Sequence, residues 1–136
     1  MPNTLTRLDE RLSAATGDSL SALSANEARA DAATARLIDA HRALVAAESR
    51  VSFLRVKLIN IAAARRRVDD VVLDQLDAQL EALETAADQR DRLEEELLLL
   101  IQAREEEAEQ AAVHERAAVS APVRSALVVQ GAPRRR

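Results

Sequence analysis

Apolar residues recur along most of the chain in alternating steps of three and four, the spacing of one face of an α-helix. Over residues 30–61 the two seam positions of a heptad read Ala30, Leu37, Leu44, Val51, Leu58 and Ala33, Ala40, Ala47, Leu54, Ile61. A second series follows, Leu76, Leu83, Arg90, Leu97, Arg104 with Leu73, Leu80, Ala87, Glu94, Ile101, Ala108. Glycine and proline occur only at Pro2, Gly17, Pro122, Gly131 and Pro133, so nothing between Gly17 and Pro122 punctuates a helix.

A single helix of that length is implausibly long, and the best corner lies at residues 64–71. Arg65, Arg66 and Arg67 suit the negative end of one helix dipole, and Asp69 and Asp70 suit the positive start of the next. A fold-back there sets Ile61 against Leu76, Leu58 against Leu80, Leu54 against Leu83, Val51 against Ala87, Ala40 against Leu97 and Leu37 against Ile101. Arg90 and Arg104 fall opposite Ala47 and Ala33, each long stem over a small residue, with Glu48 and Glu94 in reach of Arg90. Leu44 opposite Glu94 is the weak layer, repaired if Leu93 rotates in. The same heptads fit a long helix dimerising antiparallel about residue 69.

Ahead of this, Leu5, Leu8 and Leu12 mark a short helix over residues 4–15, closed by Gly17 and followed by an N-cap at Asp18 or Ser19 that opens the first long arm. The expected fold is therefore all-α. A short N-terminal helix occupies 1–17, a long antiparallel two-helix coiled-coil hairpin 18–118 with its turn near 65–70, and a flexible basic tail 119–136. Arms of nearly fifty residues give about 70 Å at ~1.5 Å per residue. The large layers between Leu54 and Leu83 should carry most of the stability, and the alanine-lined open end should fray.

Composition narrows the classes further. Phe53 is the only aromatic residue, which suits a thin helical seam and excludes sandwiches, barrels and doubly wound sheets. The net charge of -4 conceals a split: nine basic against five acidic residues over 18–67, then four basic against sixteen acidic over 68–118. Opposite arms of opposite sign are expected to lie together. There is no cysteine, hence no disulfide or thiolate chemistry. No apolar run reaches membrane-spanning length and no secretory signal is visible, so a cytoplasmic location is expected.

Three surfaces are candidates for binding protein. The run Leu97, Leu98, Leu99, Leu100, Ile101 covers a whole helix circumference, and a two-helix seam leaves Leu98 and Leu99 beside Ile38. Either the N-terminal helix covers this belt or another chain docks there. The second is the tip, Arg65, Arg66 and Arg67. The third is the tail, where Leu127, Val128 and Val129 form a short β-prone run and Arg134, Arg135 and Arg136 a basic end.

No catalytic, cofactor-binding or metal-ligating residue is expected. There is no Gly-rich phosphate loop, no nucleophile elbow and no paired ligand spacing, the acidic ladder reads as a solvated face, and His41 and His114 read as surface imidazoles. The function these features imply is a non-enzymatic coiled-coil scaffold or adaptor that binds and spaces other proteins, through a protein partner or self-association. In shape, length and composition over most of the chain it resembles the stalk proteins within the export ATPases of flagellar and injectisome-type secretion systems, and phage scaffolding proteins with acidic helices and basic ends. That resemblance implies a component of a large assembly and assigns no residue a role. A competing class is a nucleic-acid-associated protein using the arginine clusters, which the acidic arm opposes.

Overall fold

The computed structural model describes residues 6–64 and 67–120. Its elements are α1 (Asp9–Thr16), α2 (Leu20–Ala25), a 3₁₀ turn (Glu27–Arg29), α3 (Ala32–Ala63) and α4 (Asp70–Ser120). Helices α3 and α4 pack against each other as an antiparallel hairpin, and the described residues contain no strand. The break between the arms falls at the expected corner. Asp69 caps the incoming helix, its Oδ1 accepting the Val72 N–H at 3.0 Å.

The N-terminal punctuation is as the residues imply. Gly17 adopts φ 75°, a left-handed conformation that closes α1 while its N–H donates to the Ser13 carbonyl. Ser19 then caps α2, accepting the Ala22 N–H at 3.2 Å. The long first arm, however, does not begin there. Asn26 ends α2, the 3₁₀ turn follows, and Asp31 caps a new helix by accepting the Thr34 N–H at 2.7 Å. Asparagine and aspartate side chains compete for backbone hydrogen bonds, so Asn26 and Asp31 interrupt the helix without any glycine. The arms are consequently unequal: α3 has 32 residues and α4 has 51, about 48 and 77 Å at ~1.5 Å per residue.

From Leu37 onward the seam of α3 matches its heptads, with Leu37, Leu44, Ala47 and Leu54 buried and Ala40, Val51, Leu58 and Ile61 half-buried, whereas Ala33, in the first turn of the helix, is exposed. On α4 one of the two series shifts by a residue as far as Leu93, while Ile101 keeps its expected place and is fully buried. Val72 and Ala86 are buried and Gln79 and Leu93 half-buried, while Leu73 and Leu80 stay 48% and 46% exposed. The expected layers of Leu58 with Leu80 and Val51 with Ala87 therefore move to Gln79 and Ala86, and Leu93 replaces Glu94 beside Leu44. The long-stem expectation for Arg90 agrees with its half-buried state over buried Ala47.

The weight of the core also lies elsewhere than expected. Leu12, Leu44, Leu97 and Ile101 are the fully enclosed large side chains, joined by Leu8, Leu23, Leu37 and Ile38 in one cluster at the open end. Complete burial of each is worth about 1.5–3 kcal/mol. A third element meets the hairpin there, because α1 packs on α4 and α2, packed on α1, adds Leu23 to the cluster. At the tip only two helices meet, and two cylinders cannot enclose side chains on their flanks.

Candidate protein-binding surface

Polar contacts fix α1 in place at the open end. Asp9, almost wholly enclosed, receives the Thr6 hydroxyl at 2.5 Å and the Thr6 N–H at 3.2 Å, and its Oδ1 lies 2.8 Å from His41 Nε2 on α3. His41 is thus a mostly enclosed bridge between helices rather than a surface imidazole. Toward α4, Arg7 pairs with Glu94, and Arg11 makes two bonds to Glu105 at 2.9 and 2.7 Å. The Arg11 bond holds the Glu105 carboxyl below its ordinary value and raises the arginine. Arg42 likewise gains proton affinity from Glu27, 2.7 Å away, which ties the 3₁₀ turn to α3. Arg90 bonds Asp91 at 2.6 Å, with Glu48 and Glu94 adding only their fields.

The belt of Leu98, Leu99 and Ile38 is largely absorbed by this arrangement. Ile38 is buried beneath the N-terminal segment, Leu98 is half-buried and packed on the core, and Leu99 remains 58% exposed. At the corner Arg67 is exposed, while Arg65 and Arg66 lie outside the described residues. The tail positions Leu127, Val128, Val129, Arg134, Arg135 and Arg136 lie outside them as well.

The prominent apolar surface is the tip half of the hairpin. Phe53 is 67% exposed, and Val56, Ile59, Val68, Val71, Leu73 and Leu80 are also open to solvent. Phe53 therefore does not sit at the seam. Phe53, Val56, Lys57, Asn60, Ile61 and Ala64 line an open groove of about 460 Å³. A second of about 310 Å³ runs between Arg50 on α3 and a trough of Ala78, Ala82, Thr85 and Ala86 on α4. Arg50, Lys57 and Ala64 repeat every seven residues, which places both grooves on one side of the hairpin. Leu73 and Leu80 occupy the other side: Ala78 and Leu80 flank the seam residue Gln79 by about 100° in opposite senses. The signal for this surface was present in the sequence as Phe53 and Val56, large apolar residues three apart at non-seam positions.

Charge on the tip half is separated by arm. Residues 49–68 of the chain carry only basic groups and residues 69–84 only acidic ones. Among the described residues, the ion pairs involve neither Arg50, Arg55 and Lys57 nor Asp70, Asp74, Asp77, Glu81 and Glu84. The described residues hold no cluster of three histidine, cysteine or acidic side chains fit for a metal ion, and none of their helices is long and apolar enough to cross a membrane. No family model, curated protein or solved structure matches the chain.

Proposed function

We propose that the protein is a non-enzymatic helical scaffold that binds other protein surfaces through the tip half of its hairpin. The observation that carries this reading is the contrast between the two ends. The open end encloses its leucines under α1 and α2, whereas the tip half leaves Phe53, Val56, Val71, Leu73 and Leu80 in solvent on both flanks. Apolar surface of that extent on a slender rod favours association, and an amphipathic helix laid along the seam is the geometry it fits. The grooves are shallow and open and bring together no nucleophile, base and oxyanion donor, which supports a binding role over catalysis.

The test is the size of the protein in extracts of cells that make it. The chain should travel in an assembly larger than a dimer of itself, and Leu73→Gln with Leu80→Gln should release it while its helix content stays unchanged. Both side chains are half-exposed, so their replacement spares the open-end core. A chain found no larger than a dimer before substitution overturns the reading.

A further inference from the structure

We infer that the face carrying Phe53 and Val56 binds a second copy of this chain, forming a two-fold four-helix bundle with both tips at the same end. The inference rests on the reading of the tip half as protein-binding and names the partner for one of its two flanks.

The charge separation selects the arrangement. In a two-fold interface every contact occurs twice, with the same patch on both copies. An axis across the hairpin would lay α3 on α3 and α4 on α4, setting Arg50, Lys57 and Arg67 against their own kind and Asp74 and Glu81 against theirs. An axis along the hairpin lays the α3 of each copy over the α4 of the other. Basic then meets acidic at both contacts, using groups that are in no ion pair among the described residues. Each helix also runs antiparallel to both neighbours, the arrangement of an up-down four-helix bundle.

Shape agrees with charge. With the tips together, each residue of one α3 stands at the height of the same residue on the other. Arg50 borders the trough of Ala78, Ala82 and Thr85 within its own hairpin. By the register that sets Leu58 beside Gln79 and Val51 beside Ala86, Phe53 and Val56 come level with residues 84 and 81 of the facing copy, next to Thr85 and Ala82. Two large knobs meet a trough of small residues, which is how helix layers interdigitate. Lys57 comes to the height of Glu81, at the rim. Leu73 and Leu80, on the opposite flank, stay open for a different protein.

The purified full chain, 14.8 kDa as a monomer, should show twice that mass by light scattering and sedimentation equilibrium, with dissociation rising as salt is added. Arg50→Glu with Lys57→Glu in one chain, and Asp74→Lys with Glu81→Lys in another, should each weaken self-association at least about tenfold, because like charges then face each other. All four side chains are exposed, so folding is undisturbed. Mixing the two variants should restore a heterodimer, complementary at both contacts. A fluorophore on Ala63 should transfer energy to one on Ala63 of the other copy and not to one on its Ala33. A monomer at every concentration, or a dimer indifferent to charge reversal, overturns the inference. If that monomer still travels in a large cellular assembly released by the Leu73 and Leu80 substitutions, the scaffold reading stands without self-association.

Discussion

His41 Nε2 lies 2.8 Å from Asp9 Oδ1, joining the first turn of α1 to the middle of the open-end core. The pair is mostly enclosed, and the carboxylate also accepts two bonds from Thr6. It fixes where α1 lies along α3, a specificity that the leucine stripe of α1 alone, free to slide by a turn, would not provide.

Replacing His41 by alanine should loosen α1. The substitution removes one hydrogen-bond partner of the enclosed Asp9, a loss of about 2 kcal/mol on the scale of hydrogen bonds to charged groups. Hydrogen exchange of the α1 amides should quicken, while exchange in α4 near Ala86 stays slow. Equal protection of α1 in the wild type and the variant would show that its leucines suffice to hold it.

The distribution of stability between the two ends can be measured directly. Leu97 is 0% exposed and Leu80 46%, so Leu97→Ala should cost about 2–5 kcal/mol, the range for enclosed leucines, and Leu80→Ala should cost much less. Urea denaturation followed by circular dichroism gives both values. Similar costs would place the weight of the core evenly along the seam.

The hairpin, its corner and the α3 seam were legible in the sequence because Leu37, Leu44, Leu54 and Ile61 leave only one face that can be buried. On α4 two readings compete. From Leu76 a step of four reaches Leu80 and a step of three reaches Gln79, and apolarity favours the leucine. The seam requires the same order of steps as α3 and takes Gln79, a geometric demand that outweighs one side chain's preference. The break at residues 26–31 was obscured because its punctuation is Asn26 and Asp31 rather than glycine or proline. The role of His41 was not legible, since its partner Asp9 is 32 residues away and belongs to a different helix. The exposed tip was legible on one flank in the non-seam Phe53 and Val56, and hidden on the other because Leu73 and Leu80 fit a seam spacing.

Gln79 itself provides a prediction. Its Oε1 is enclosed without a hydrogen-bond partner, and an unsatisfied buried acceptor costs about 1–3 kcal/mol. Gln79→Leu should raise the thermal midpoint, adding apolar contact in the layer with Leu58. A lower midpoint would mean that the amide finds water at the half-exposed edge of the seam.

Gly17 should resist substitution for a reason of backbone rather than space. A Cβ built there meets nothing within 4 Å, yet φ is 75°. Gly17→Ala therefore costs about 1 kcal/mol through the left-handed conformation alone, read as a shift in the thermal midpoint. An unchanged midpoint would show that the link between α1 and α2 relaxes freely.

Acid should release the open end before the seam. Glu105 is held below its ordinary value by the bond from Arg11, and Asp31 by the backbone N–H of Thr34. A carboxyl with a depressed folded value contributes stability that is fully present above its unfolded value and is lost as pH falls through the folded one. Both groups sit at the open end, one joining α1 to α4 and the other capping α3, whereas the acidic side chains at 70–84 are in no ion pair of the described residues. Exchange of the α1 amides, corrected for the intrinsic effect of pH, should lose protection below the ordinary carboxylate range while α4 amides near Leu83 keep theirs. Arg11→Met should remove the part of the α1 response that arises from Glu105, because the carboxyl then titrates near its unfolded value in both states. A response of α1 that is the same with and without Arg11 would show that the Arg11–Glu105 bond does not carry the acid sensitivity of the open end.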